Sequence, residues 1–379
     1  MTRTVLVAGG GTAGHVFPAV AVARELRRQA PDVEPVFLGV ADRLEARLVP
    51  EEGFDLHLID AVSVPRRPSP KLLKVPSKLR AGVRRATAIV RERQAVAAVT
   101  FGGYVSFPLN RAATKAGIPL VIHEQNSVPG LTNRLAARKA DTVAVTFPSS
   151  VGRFRRPERC VVTGNPVRPN LLELDRDRAR QRAARERFGL APDIPTVLVF
   201  GGSQGSRSIN DAIVQAHGIW GDTNVQILHA AGKVGYNRAA AAWEGVRAQT
   251  SGPRGVLIDF IENMDEAYAA SDVVVCRAGA TSIAELTVLG IPAVLVPYPH
   301  ATADHQTGNA QALARTGGAV MIEDGQLDAL RLVDAVRPLF ADADQYANMS
   351  RAARAFGRRD AAANVARLVL GHIDGEGTP

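Results

Sequence analysis

Apolar positions in this chain arrive in short continuous blocks. Residues 4–8, 35–39, 96–100, 119–122 and 142–145 form five of them in the first half. Residues 196–200, 225–229, 255–258, 272–275 and 293–296 form five more in the second. Each is rich in Val, Leu, Ile or Ala and ends at glycine, proline or polar residues, the signature of a buried strand. Longer amphipathic stretches intervene at 17–30, 105–116, 207–217 and 281–289, and these predict helices. Residues 173–187 predict a highly charged helix, and 345–371 one helix rich in Ala and Arg. Strands alternating with helices imply parallel sheets with helices on both faces.

The two halves begin alike. T-V-L-V-A-G-G-G-T-A-G-H opens the first at Thr4, and T-V-L-V-F-G-G-S-Q-G-S-R opens the second at Thr196. A strand, a glycine turn and a helix therefore recur, and the expectation is two Rossmann-like domains. A chain of 379 residues suits two such domains. The breaker cluster N-P-V-R-P-N at 165–170 puts the boundary there. The expected domains are 1–166 and 167–349, with a terminal helix at about 350–372 packing back on the first.

Charge sharpens this picture at one place. Residues 66–93 hold ten Lys/Arg and one acid, Glu92, so this window carries the +9 of the whole chain. A concentrated cationic surface needs an anionic partner. Leucines thread through it and aromatic residues are absent, which favours a membrane surface over nucleic acid; a solvated helix face is the alternative. No apolar run is long enough to span a bilayer, and no secretory signal is expected. Cys160 and Cys276 lie far apart and are expected to be reduced and intracellular. No Cys/His cluster has metal-ligand spacing.

Gly9, Gly11 and Gly14 spell G-x-G-x-x-G. Such a turn exposes backbone N–H groups to a phosphate, and the following helix adds its positive end. A dinucleotide site also wants an acid closing the second strand, and Gly39-Val40-Ala41 stands there instead. His15 follows the last glycine directly. An imidazole at such a turn suggests proton transfer, or else substrate positioning or helix capping. Gly201, Gly202, Ser203 and Gly205 form a second glycine turn, and Ala280-Thr281-Ser282 opens a helix after Gly279. Glu285 is read in the first turn of that helix, either as a ribose ligand or as a capping acid. Residues 297–310 are dense in polar side chains, among them His300, Asp304, His305, Gln306 and Asn309.

Seven motifs then run in order: G-G-G-T-A-G-H-V-F-P-A, F-G-G-Y-V-S-F-P (101–108), H-E-Q-N (123–126), G-N-P-V-R (164–168), G-G-S-Q-G-S-R (201–207), R-A-G-A-T-S-I-A-E-L and D-H-Q-T-G-N-A. Together they resemble the MurG family of peptidoglycan N-acetylglucosaminyltransferases. The resemblance implies a GT-B fold, two Rossmann-like domains facing across a cleft. It implies UDP-GlcNAc as donor and undecaprenyl-pyrophosphoryl-MurNAc-pentapeptide (lipid I) as acceptor, with lipid II as product. It also implies peripheral attachment to the cytoplasmic face of the cell membrane and a place among cell-wall synthesis proteins.

By the same resemblance, Thr12, Ala13 and Gly14 contact the donor and Asn126 contacts the sugar. Arg168 binds the diphosphate and Ser203 a phosphate oxygen. Ile261 meets uracil through its backbone, Ala280, Thr281 and Ser282 line the nucleotide, Glu285 holds the ribose and Gln306 the GlcNAc hydroxyls. Transfer with inversion needs a base at the incoming 4-hydroxyl. His15 is the candidate, and Glu124 the second, unless it only orients its neighbours. Leu72, Leu73, Lys74, Lys78, Leu79 and Arg80 make up the expected membrane patch. Asp175-Arg176-Asp177 and Asp342-Ala343-Asp344 match an Asp-x-Asp spelling but are read as solvated surface, so no metal and no cofactor are expected. The rival readings are a UDP-GlcNAc 2-epimerase of the same fold, a nicotinamide dehydrogenase and a non-catalytic nucleotide-sugar-binding protein.

Overall fold

In the first sheet seven parallel strands lie in the order β3-β2-β1-β4-β5-β6-β7. They are β1 (Arg3–Ala8), β2 (Val33–Gly39), β3 (Asp55–Leu58), β4 (Ala97–Thr100), β5 (Leu120–Glu124), β6 (Thr142–Val145) and β7 (Cys160–Val162). The second sheet has six parallel strands in the order β10-β9-β8-β11-β12-β13. These are β8 (Thr196–Phe200), β9 (Gln226–Ala230), β10 (Gly255–Ile258), β11 (Val273–Cys276), β12 (Ala293–Leu295) and β13 (Ala319–Met321). The computed structural model describes residues 2–61, 75–202, 204–220, 224–248 and 255–375. The chain divides into two units, Met1–Arg168 with Arg358–Pro379, and Pro169–Gly357.

In the first unit both faces of the sheet are covered. Val5, Val7, Val99 and Val121 meet Val16, Val20 and Leu26 of the helix Ala13–Gln29 on one face. Leu6, Ala98 and Ile122 meet Ile89 and Leu109 of the helices Val75–Glu92 and Ser106–Ala116 on the other. Continuous apolar strands are what a two-sided sheet requires. The second unit repeats the plan, with Val197, Val199 and Val275 against Ile209 and Ile213 of the helix Arg207–Trp220.

Three departures from expectation have physical causes. β3, β7 and β13 were not expected; they are three or four residues long and two of them close the edges of the first sheet, where little apolar burial marks them. The charged helix begins only at Arg178, because the Asp177 side chain caps it by accepting from Arg180 N at 2.7 Å. The expected helix 345–371 is two, Ala343–Phe356 and Ala361–Asp374. Gly357 stands at the break, where a Cβ would lie 2.8 Å from the Thr287 backbone. Only the second helix joins the first unit, burying Val365, Leu368 and Val369 in the core beside the helix Ala13–Gln29.

Candidate active site

In the first unit the glycine turn leaves β1 at Ala8 and enters its helix through Thr12, an extended N-cap residue. Gly11 has φ +87°, which a side chain would resist. The helix therefore starts at Ala13, and His15 sits in its first turn with its backbone N–H on Thr12 O at 3.0 Å. The imidazole Nδ1 lies 3.2 Å from Gly10 O and 3.0 Å from Thr12 Oγ1. A carbonyl only accepts, so the tautomer that suits this pocket has Nδ1–H donating and its basic lone pair on Nε2. A second glycine turn, Gly102-Gly103, follows β4 and faces the same ring. A Cβ on Gly102 would lie 3.2 Å from Nε2, and one on Gly103 would lie 3.4 Å from Nδ1. Both have positive φ, +87° and +78°.

The turn is not the bare phosphate cradle its spelling suggests. Gly11 N–H donates to Glu45 Oε2 at 3.1 Å. Glu45 comes from the helix Leu44–Glu51 and is fully buried. Sequence reasoning missed it. The available signal was an acid shortly after the second strand, too late in the chain for a ribose ligand.

The end of β5 carries H-E-Q-N. His123 is fully buried and donates from Nε2 to Gly164 O at 2.9 Å, while Nδ1 accepts from Gln125 Nε2 at 3.2 Å. Burial holds its pKa down to about 4. Gln125 also donates to Phe101 O at 2.8 Å, which ties β5 to the Gly102 turn. Glu124 is buried too, and both its oxygens are engaged. Oε1 accepts from Asn126 N at 3.0 Å and Asn126 Nδ2 at 3.4 Å; Oε2 accepts from Gly130 N at 3.1 Å and Asn133 Nδ2 at 2.9 Å. Burial raises its pKa against the pull of these donors. Arg168 ends this unit with its guanidinium 4.7 Å from the Phe17 ring centroid, a cation–π contact on the second turn of the glycine-loop helix.

In the second unit Gly202 and Gly205 have φ of +88° and +80°, and a Cβ on Gly205 would strike Ala231 O at 2.1 Å. Ser203, between them, lies outside the described residues. Beneath this turn Arg277, which sequence reasoning passed over, donates to Ser206 Oγ at 2.6 Å and Ser208 Oγ at 3.1 Å. It also pairs with Asp324 at 2.5 Å. Ala280, Thr281 and Ser282 form the first turn of the helix Ala280–Leu289. That helix has no acid in its first turn. Glu285 is its sixth residue, so the capping role expected as one alternative is excluded; its Oε2 accepts from Tyr268 OH at 3.0 Å in a buried position. Gln306 Oε1 accepts from Tyr298 N at 2.9 Å. Just before it, Ala303 and Asp304 both hold left-handed backbone, φ +53° and +52°. Ile261 is half-buried in the connection from β10 to the helix Met264–Ala270.

Both Asp-x-Asp spellings serve helix starts: Asp177 and Asp342 accept backbone N–H groups of their own helices. Among the described residues no group of three or more His, Cys, Asp or Glu is placed to hold a metal ion.

Family models match both units: the glycosyltransferase family 28 N-terminal domain over residues 5–145 and its C-terminal domain over 196–365. The chain is 48% identical over 366 residues to a Nocardioides UDP-N-acetylglucosamine–N-acetylmuramyl-(pentapeptide) pyrophosphoryl-undecaprenol N-acetylglucosamine transferase, covering 97% of each. The chain belongs to glycosyltransferase family 28, in its MurG branch. The crystal structure of Acinetobacter baumannii MurG superposes with a TM-score of 0.74 at 28% identity, covering 97% of this chain and 99% of that one. A UDP-N-acetylglucosamine 2-epimerase structure from Listeria monocytogenes reaches 0.73 at 13% identity, covering 99% of this chain and 98% of that one. At that identity the likeness is one of fold alone. The protein is thus a glycosyltransferase of GT-B class, built on two parallel-sheet, Rossmann-like domains; the epimerase reading reduces to a shared architecture.

Proposed function

We propose that this enzyme moves GlcNAc from UDP-GlcNAc to the 4-hydroxyl of MurNAc in undecaprenyl-pyrophosphoryl-MurNAc-pentapeptide, with inversion. The observation that carries the reading is the His15 ring, held by the first glycine turn and bordered by the second, with Nε2 as its basic nitrogen. His15 Nε2 takes the proton of the acceptor hydroxyl as the new glycosidic bond forms and the bond to UDP breaks. Glu124 has its carboxylate spent on Asn126, Gly130 and Asn133, which suits a residue that shapes the 126–133 segment rather than a second base. Thr12, Ala13 and Gly14 are read as a donor-contacting loop and Asn126 as a contact to the sugar.

The donor falls to Ser203, Ile261, Ala280, Thr281, Ser282, Glu285 and Gln306. Orphan N–H groups of residues 280–282 suit the departing diphosphate; Arg168 is kept as a diphosphate ligand on the family resemblance, and no metal and no cofactor are assigned. The Glu285 carboxylate, oriented by Tyr268, suits a ribose diol.

The helix Val75–Glu92 is the proposed membrane contact. Lys78 and Arg80 are exposed and Leu79 is half-buried. A groove of about 570 Å³ runs between this helix and the next, lined by Leu79, Val83 and Phe107 and rimmed by Arg80, Arg84 and Arg111. Leu72, Leu73 and Lys74 lie outside the described residues. None of the described helices is long and apolar enough to cross a bilayer, so attachment would be peripheral, on the cytoplasmic face where such an acceptor and other wall-building proteins are met.

The test is direct. Labelled UDP-GlcNAc and a short-chain lipid I analogue should yield a lipid-linked disaccharide and free UDP. Conversion of UDP-GlcNAc to its 2-epimer, or no disaccharide, would overturn the reading.

A further inference from the structure

Glu45 has no place in the chemistry so far, yet it touches the peptide that holds the base. Its Oε2 accepts from Gly11 N at 3.1 Å. That N–H and the Gly10 carbonyl belong to one peptide group, and the carbonyl lies 3.2 Å from His15 Nδ1. Space has been cleared for this carboxylate. A Cβ on Gly10 would lie 2.6 Å from Glu45 Oε1, and one on Gly39 would lie 2.9 Å from Glu45 Cγ. Neither glycine has positive φ, so room rather than backbone freedom is what each supplies.

We propose that Glu45 is a positioning residue for His15: through the Gly10–Gly11 peptide it polarises the carbonyl that receives Nδ1–H, fixes the tautomer and makes Nε2 a stronger proton acceptor. Hydrogen bonds in series polarise one another where water is excluded. The logic is that of the carboxylate behind a histidine in a hydrolase triad, with one peptide interposed. It also accounts for a buried acid beneath a glycine turn. Such a charge favours the imidazolium that forms when His15 takes its proton. Oε1 is buried with no hydrogen-bond partner among the described residues, so the directional hydrogen bonding seen for the carboxylate goes to Gly11.

Other titratable groups face this relay. Tyr104, from the second glycine turn, has its hydroxyl pKa raised by burial and then by Glu45, and Arg43 opposes that shift. His123 on β5 senses His15 but stays neutral above about pH 4.

The inference rests on His15 as the base, and the experiment separates the two. The full chain is labelled with 15N at histidine and glycine, and His15 is assigned by difference with His15→Gln. In the native protein Nδ1 should carry the proton, and the Gly11 amide resonance should move with the same midpoint as the His15 ring. Glu45→Gln should lower the His15 pKa by about 0.5–1 unit and carry the acid limb of kcat/KM down with it. It should cut kcat about 5- to 30-fold while KM for UDP-GlcNAc stays within about twofold, the pattern of a contact that matters in the transition state. An unchanged tautomer and pKa in folded Glu45→Gln overturns the proposal, whatever its activity. If that variant does not fold, a Gly11 amide indifferent to His15 titration in the native protein overturns it equally. Full turnover by His15→Gln would instead defeat the base assignment and leave the relay standing.

Discussion

His229 should make the second unit acid-sensitive, and the size of the effect can be worked out. It is buried on β9, with Nε2 3.0 Å from Asn210 Oδ1 and Nδ1 3.0 Å from Trp243 Nε1. The indole only donates, so Nδ1 must accept and Nε2 must carry the proton; a second proton would have to displace the indole hydrogen bond. Burial accordingly lowers the pKa from 6.5 to about 4. Between those values the unfolded imidazole binds a proton that the folded one refuses. Stability from this site is therefore present above pH 6.5 and lost as pH falls toward 4. At about 1.4 kcal/mol per unit the whole loss is ~3 kcal/mol, and ~2 kcal/mol of it falls between pH 7 and 5. Both tryptophans, Trp220 and Trp243, lie in this unit, so their fluorescence during urea unfolding reports on it alone. With a slope of about 2–3 kcal/mol per molar, the midpoint should fall by about 0.7–1 M from pH 7 to pH 5. His229→Gln, whatever it does to absolute stability, should remove most of that shift, because its side chain does not titrate. An equal shift in the variant refutes the assignment.

Three further predictions follow from the first unit. Gly102→Ala puts a methyl group 3.2 Å from His15 Nε2 at a φ of +87°, so kcat should fall about tenfold or more with the circular dichroism of the fold retained; native turnover would show that the ring does not depend on this turn. Glu124→Ala strands the N–H donors of Gly130 and Asn133 and should lower unfolding free energy by about 2–4 kcal/mol, whereas a base without structural duty would lose turnover at unchanged stability. The pair Leu79→Ser and Arg80→Ser should weaken sedimentation with anionic phospholipid vesicles several-fold and spare activity on a short-chain acceptor; equal vesicle binding would remove this helix from the membrane contact.

Most of the fold could be read from the chain because two-sided parallel strands make unbroken apolar blocks. All ten expected strands exist, displaced at their ends by two residues or fewer. The strands that escaped notice are short, and the helix misread as continuous is broken at a glycine whose necessity is its packing on Thr287. The candidate site could be picked out where local spelling is distinctive. His15 follows the last glycine of its turn, and Arg168 sits in G-N-P-V-R. It was illegible where chemistry depends on long-range approach. Glu45 reaches Gly11 from 34 residues away. Arg277 meets Ser206 and Asp324 across 71 and 47 residues. Nothing in local spacing announces such partners. Position within Ala280–Leu289 was misjudged for Glu285 because a helix start can be placed only to within a turn from sequence.

Those two long-range residues also distinguish two turns built on one local plan. Both units run from strand through glycine turn to helix, and by spelling alone each turn is an anion site. Under the first turn lies a carboxylate, Glu45, which takes the Gly11 N–H and adds negative charge. At the second, a guanidinium, Arg277, binds Ser206 and Ser208 at the start of the helix and is tied down by Asp324. The first arrangement adds negative charge at its turn; at the second, the cation's charge is shared with one acid. A reacting hydroxyl that must shed a proton gains from the first, because the imidazolium it creates is offset by the buried carboxylate. The charge buried beneath the two glycine turns is thus opposite in sign, a carboxylate under the first and a guanidinium under the second.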